Sequence, residues 1–193
     1  QSGSKSVLKY MRRGYTPKHF ERWVNQVREV RPDLHLGTDI IVGFPGESRD
    51  HLLETKDFCR SLGFANLHLF PFSKRKDTPV MHLMSKQREH EGRERLSELN
   101  GNEIKARVQE LQELNTALQS RYRANTAGNS YRAIVENHSD HAIAVSENYV
   151  KVTLPQGSYP HGSLVQISYD SKGYLAGGDL REESRLRPPM QRS

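Results

Sequence analysis

Thiols are nearly absent from this chain of 193 residues, where Cys59 is the only cysteine. An internal disulfide framework is therefore excluded. Long apolar runs are missing as well. No segment has the length and hydrophobicity to span a bilayer, and no signal-peptide pattern is present. Only 34% of the residues are hydrophobic and mean hydropathy is −0.80, which predicts a modest core and much solvated helix. Metal-ligand spacing is lacking too: His82 and His90 form no set that suits zinc and read as exposed polar histidines. What is plentiful is positive charge. A net charge of +6 and a pI near 9.5 favour an anionic partner such as RNA. The length suits one or two domains.

Residues 1–80 alternate helix and strand. Thr16 and Pro17 form a helix start, with Thr as N-cap and Pro at the first helical position. Phe20, Trp23, Val24, Val27 and Val30 recur at helical spacing until Pro32. Leu34 to Val42 reads as a buried strand that runs into the bend Gly43-Phe44-Pro45-Gly46-Glu47. Ser48 caps the next helix, whose apolar face includes Leu52, Leu53, Phe58 and Cys59, and Gly63 stops it. Cys59 on that face is a core filler rather than a nucleophile. Ala65 to Phe72 is the following strand. Two strand–helix–strand crossovers then predict a parallel sheet, part of an open (β/α) barrel. Ligands in such folds gather at the carboxyl ends of strands, where Gly43 and Gly46 permit close approach to the backbone and Pro45 stiffens the turn. Glu47 is placed to fix the bend rather than to act as a base. A sheet lacking its other barrel half would expose an edge prone to association.

Residues 85–123 read as one long charged helix lying on the barrel flank. Leu96, Leu99, Ile104, Val108, Leu111, Leu114 and Leu118 form its narrow apolar stripe. Gly92 and Gly101 argue against a free coiled coil. From 129 to 180 the period changes to two. Strands are predicted over 131–136, 141–145, 149–154 and 164–169, punctuated by 137–140, 155–157 and 171–173, with a fifth over 174–177. Five short strands in roughly fifty residues suggest a small closed barrel like an OB-fold. Arg181 to Ser193 is a charged tail without apolar pattern, expected to be mobile.

Three runs carry a family resemblance. Ile41-Val42-Gly43-Phe44-Pro45-Gly46-Glu47 resembles the strand-five segment of radical S-adenosylmethionine (radical SAM) enzymes. Gln1-Ser2-Gly3-Ser4 with Val7 to Thr16, and Phe70-Pro71-Phe72-Ser73-Lys74-Arg75-Lys76-Asp77-Thr78-Pro79, resemble two runs of the methylthiotransferases within that group. Ser146-Glu147-Asn148-Tyr149-Val150-Lys151-Val152 and Tyr174-Leu175-Ala176-Gly177-Gly178 resemble segments of the TRAM domain, a small RNA-binding barrel. The resemblance implies α/β architecture followed by all-β: part of a radical SAM barrel over 1–123, a long helical bridge, and a TRAM barrel over 129–180.

The family inserts sulfur at an unactivated aromatic carbon using SAM and two 4Fe-4S clusters. Thiolates hold such clusters, and this chain has no Cys-x-x-x-Cys-x-x-Cys. The expectation is a carboxyl-terminal part of a longer enzyme, with the cluster cysteines upstream, no cluster ligated here and no activity alone. By resemblance, SAM would meet Gln1 and Ser2 at its ribose and methionine groups, Ile41, Val42 and Gly43 along the adenine, and Phe70, Pro71 and Phe72 at the pocket wall. Arg13 would pair with the SAM carboxylate, with a phosphate contact or plain surface charge as alternatives. Lys74, Arg75 and Lys76 are candidates to grip RNA phosphates, and Arg132, Tyr149 and Lys151 to bind RNA by charge and stacking. The implied partner is the anticodon stem-loop of tRNA, with neither membrane nor DNA involved, and the implied location is cytoplasmic. Within the family the runs look most like the branch acting on threonylcarbamoyl-adenosine. The isopentenyl-adenosine branch, the branch modifying a ribosomal-protein aspartate, a radical SAM enzyme making a different bond, and a non-catalytic RNA-binding module stay open.

Overall fold

A computed structural model describes residues 1–82, 84, 96–137, 142–155, 157, 159–175 and 181–182. The chain divides into two compact units, Gln1–Gln119 and Ser120–Ser193. His90, Gly92, the stretch 138–141, Gln156, residues 176–180 and the tail beyond Glu182 lie outside the described residues.

The first unit contains α1 (Lys5–Tyr10), α2 (Pro17–Val30), β1 (Gly37–Val42), α3 (Arg49–Leu62), β2 (Asn66–Pro71) and most of α4 (Gly101–Thr126). Local chemistry sets the boundaries. The Thr16 hydroxyl accepts the His19 N–H at 3.4 Å, with Pro17 next to it. The Ser48 hydroxyl accepts the His51 N–H, while the Ser48 N–H donates back to His51 Nδ1, a reciprocal cap. Gly63 ends α3 in the left-handed region at φ 54°. Strands β1 and β2 pair in parallel from Gly37–Asn66 to Val42–Pro71, with α3 as the crossover. One such crossover joins strands, not two, because α1 and α2 both precede β1.

Alternation along β1 sends Ile40 and Val42 into a core with Val24 of α2, Leu52, Cys59 and Leu62 of α3, and Leu111, Leu114 and Leu118 of α4. Ile41 faces a second, smaller cluster with Val7, Phe44, Phe72 and Val80. The long helix differs from its prediction. It begins at Gly101, and residues 96–100 are not helical, although Leu96 and Leu99 fit the stripe. Asn100 explains this. Its side chain accepts the N–H groups of Asn102 and Glu103 at 3.0 Å, and Glu103 accepts the Asn100 N–H at 2.8 Å. Such a capping box starts a helix.

The sheet edges are also not bare. Buried Asn115 on α4 accepts the Leu67 N–H at 2.8 Å and donates to the Leu67 carbonyl at 3.1 Å. A helix side chain thus takes the bonds that a neighbouring strand would offer β2. On the other side, the Ile41 N–H donates to the Gln1 carbonyl at 3.0 Å.

The second unit is an antiparallel sheet in the order β5-β4-β3-β6-β7, built from β3 (Ser130–Asn137), β4 (Ala142–Ser146), β5 (Lys151–Thr153), β6 (Leu164–Ser168) and β7 (Arg181–Glu182). One face buries Val135, Ala144, Val152, Val165, Ile167 and Tyr169. Tyr131 stacks on Tyr169 with ring centroids 5.6 Å apart. Among the described residues the sheet is open, not a closed barrel. Its described edge strands span three and two residues, and single bridges tie Thr153 to Tyr174 and Tyr169 to Leu175. Of the predicted fifth strand at 174–177, Tyr174 and Leu175 make those bridges, and residues 176 and 177 lie outside the described residues. Pairing of Val165 with Glu182 and Gln166 with Arg181 gives the start of the expected tail an ordered place.

Candidate functional site

The bend after β1 is held by this chain's own atoms. Gly43 and Gly46 take φ values of 79° and 86°, which exclude most side chains. A Cβ on Gly43 would stand 2.6 Å from Ile104, and one on Gly46 would stand 2.5 Å from Leu96. The close approach these glycines allow is therefore used, on that side, to seat α4 and the segment before it. Glu47, only 4% exposed, reaches back so that its Oε1 accepts the Gly43 N–H at 3.3 Å and Arg107 Nη1 at 2.7 Å. The same guanidinium nitrogen donates to the Glu47 and Ser48 carbonyls, both at 3.1 Å. Burial pushes the Glu47 carboxyl above its ordinary range, opposed by the hydrogen bond and charge of Arg107 and by the Gly43 amide. A carboxylate so fully engaged sets backbone shape. Arg107 carries no sequence signature, and only the acidic residue at the bend hints that a cation must meet it.

The sheet face opposite the helical core carries the remaining residues singled out in the sequence. Register places Ile41 beside Phe70, and Asp39 beside His68, on that face. Phe70 is 51% exposed, and Phe72 packs edge-on against Phe44 with centroids 5.2 Å apart. Val42 points the other way into the helical core, so its backbone alone borders the mouth. Pro71 is exposed. The Ser2 hydroxyl is buried, lies 3.1 Å from that of Thr55 and accepts the Ser4 N–H at 3.1 Å, so it shapes the entry to α1. Gln1 accepts at Oε1 from the Tyr15 hydroxyl at 3.2 Å.

Cys59 sits in the helical core, where burial pushes its thiol up to about 12. Among the described residues, no three His, Cys, Asp or Glu side chains are grouped to hold a metal ion. The donors present do not fit an iron–sulfur cluster.

Beside the mouth lies a cleft of about 710 Å³ lined by Lys5, Lys9, Arg12, Arg13, Ser6 and Tyr15 among others. The sequence analysis selected Arg13 and missed the remaining three cations. Their signal was the spacing of Lys5 and Lys9, one helical turn apart. Of the triplet beyond β2, Lys74 is paired with Glu98, while Arg75 and Lys76 are exposed.

In the second unit, a depression of about 360 Å³ has Ile134, Val145 and Leu164 as apolar floor and Arg132, Glu147 and Tyr149 around it. Arg132 and Glu147 are ion-paired at 3.2 Å, which offsets the cation. Tyr149 belongs to a tight turn, not to a strand. Its φ is 60°, its N–H donates to the Ser146 carbonyl at 2.8 Å, and it is 73% exposed. Buried Asn148 holds that turn by donating to the Tyr169 hydroxyl at 2.7 Å, which in turn donates to Thr126 at 2.8 Å. Lys151 shares the outer face through its pairing with Val145 but does not line the depression.

No family model matches the chain. Among curated proteins it is 30% identical over 180 residues to the threonylcarbamoyladenosine tRNA methylthiotransferase MtaB of Bacillus subtilis, covering 90% of this chain and 37% of that protein. The enzyme of the same name from Treponema pallidum is 36% identical over 181 residues, or 91% of this chain and 34% of the relative. The tRNA-2-methylthio-N(6)-dimethylallyladenosine synthase of Acinetobacter baumannii is 40% identical over 99 residues, or 51% of this chain and 20% of the relative. The chain belongs to the radical SAM methylthiotransferases. It spans about a third of the length of the threonylcarbamoyladenosine enzymes that it matches.

Proposed function

We propose that this chain forms one side of the SAM cleft and the RNA-holding part of a tRNA methylthiotransferase acting at carbon 2 of threonylcarbamoyl-adenosine beside the anticodon. The observation that carries this reading is the extent of the matches. The threonylcarbamoyladenosine enzymes align across both units, whereas the dimethylallyladenosine synthase aligns over about half of the chain.

The geometry of the mouth supports the same reading. Ile41 and Phe70 give an apolar shelf suited to an adenine ring, Phe72 and Pro71 continue it, and the Val42–Gly43 backbone borders it. Gln1 and Ser2 approach from the far side of β1. SAM bound there supplies radical chemistry able to activate an aromatic C–H bond, with the clusters held by other parts of the whole enzyme. This chain's own residues position and enclose. Glu47 and Arg107 fix the bend, and the helical core holds β1 and β2 in register. The second unit would act as a TRAM-like RNA-binding sheet, with Tyr149 offered for stacking and Arg132 and Lys151 for phosphates. Arg75 and Lys76 extend the cationic surface of the first unit.

The deciding experiment is mass spectrometry of digested total tRNA from cells with and without the full-length gene. Loss of methylthio-threonylcarbamoyl-adenosine, restored by the gene, is the expected result. Loss of methylthio-isopentenyl-adenosine would move the protein to the sibling branch. An unchanged tRNA profile would refute both.

A further inference from the structure

Four cations share one cleft without a counter-charge among the described residues. Lys5 and Lys9 stand four residues apart on α1, a spacing that brings like charges together and disfavours the helix. Arg12 and Arg13 follow at once, and none of the four makes an ion pair among the described residues. Among the described residues no acidic side chain lines the cleft.

The backbone shows how the two arginines come to stand beside the lysines. Arg12 holds φ at 55°, a left-handed conformation that a non-glycine residue adopts at a cost. That conformation ends α1, with the Arg12 N–H donating to Lys9 O at 3.0 Å and the Arg13 N–H donating to Leu8 O at 2.9 Å, so that Arg12 and Arg13 follow directly on the helix end. Like charges gathered at one place, with no counter-charge among the described residues, point to an external anion. At about 710 Å³ the space far exceeds one phosphate group, and Ser6, Tyr15 and Thr16 add hydroxyls to its wall. The cleft adjoins the mouth, because Tyr15 bonds Gln1 and Gln1 bonds β1 at Ile41.

We propose that Lys5, Lys9, Arg12 and Arg13 form a cleft for successive phosphates of an RNA backbone, holding the strand whose base is presented to the mouth. This deepens the proposed function and rests on it. It also assigns Arg13 to phosphate rather than to the SAM carboxylate. The contacts carry affinity and register, not base identity.

The test is binding of a short fluorescein-labelled single-stranded RNA across a series of KCl concentrations. It compares the chain with its Lys5→Gln/Lys9→Gln/Arg12→Gln/Arg13→Gln variant, with circular dichroism confirming fold. Each phosphate contact to a single strand contributes about 0.7 to the log–log salt slope, so the variant should lose about 3. A Lys5→Arg/Lys9→Arg/Arg12→Lys/Arg13→Lys variant should keep the slope. An unchanged slope in the folded glutamine variant overturns the cleft while leaving the proposed function standing. Absence of salt-dependent RNA binding by the unaltered chain overturns both. Inorganic tripolyphosphate serves as the competing source of phosphate. If it saturates the cleft without displacing RNA, the site is one for a small polyphosphate and the assignment to RNA falls.

Discussion

Gly43 is the residue at which backbone and packing demands coincide. Its φ of 79° disfavours any L side chain, and the space where a Cβ would stand is taken by Ile104. Gly43→Ala should therefore destabilise the first unit by about 2 kcal/mol or more, read from urea unfolding. Adding Ile104→Ala should relieve the collision but not the dihedral strain, so rescue will be partial. Full rescue would show that packing alone demands glycine. The sequence made this bend visible as a turn, because glycine and proline report local conformation directly. What fills the space beside it was not visible, since Ile104 lies sixty-odd positions downstream and reads only as a member of a helical stripe. Ser2 shows the same limit. Its place in a recognised run marked it for a ligand, while its hydroxyl is engaged with Thr55 and the Ser4 amide.

At the scale of elements, α4 joins the first unit through polar contacts as well as leucines. Glu110 accepts Arg49 at 2.5 Å and Lys56 at 2.9 Å, both on α3. Those hydrogen bonds lower its carboxyl from 4.5 to about 2. The folded value lies below the unfolded one, so this stabilisation is complete above about pH 4.5 and lost as pH falls toward 2. The urea midpoint should decline over that window, and Glu110→Gln should flatten the decline. An equal decline in the variant would assign the acid sensitivity elsewhere. Asn115→Ala should cost about 2 kcal/mol, because Leu67 would keep its N–H and carbonyl at a covered edge with neither partner. A loss below about 0.5 kcal/mol would mean that water replaces the amide at no cost. Caps were the most legible part of these elements. Thr16, Ser48 and Gly63 act through atoms within four residues. The start of α4 was misread because Leu96 and Leu99 continue the helical period, although Asn100 and Glu103 spell the capping box.

For the whole molecule, the main cores of the two units share no residue. Calorimetry should therefore resolve more than one transition. Tyr169→Phe removes the hydroxyl that links Asn148 to Thr126 and should lower the transition of the second unit by about 1–2 kcal/mol while sparing the other. A single transition moved as one would mean that the units unfold together. The α/β-then-β order was readable because the hydrophobic period changes from helical to two. That the described sheet is open, and not the expected closed barrel, was not readable, because strand count alone does not say whether edge strands will meet.

The bend at the mouth of β1 also has a history in time. Its partners Arg107 and Ile104 lie about sixty residues further along the chain, and the Leu67 partner Asn115 lies 48 residues further. During synthesis the glycines, Glu47 and both strands leave the ribosome before α4 exists to meet them. Until then Glu47 stays in water without its cation and β2 keeps an open edge. The mouth, written early in the chain, is thus among the last parts to set. A ribosome stalled before α4 would hold the sequence of the site without its shape.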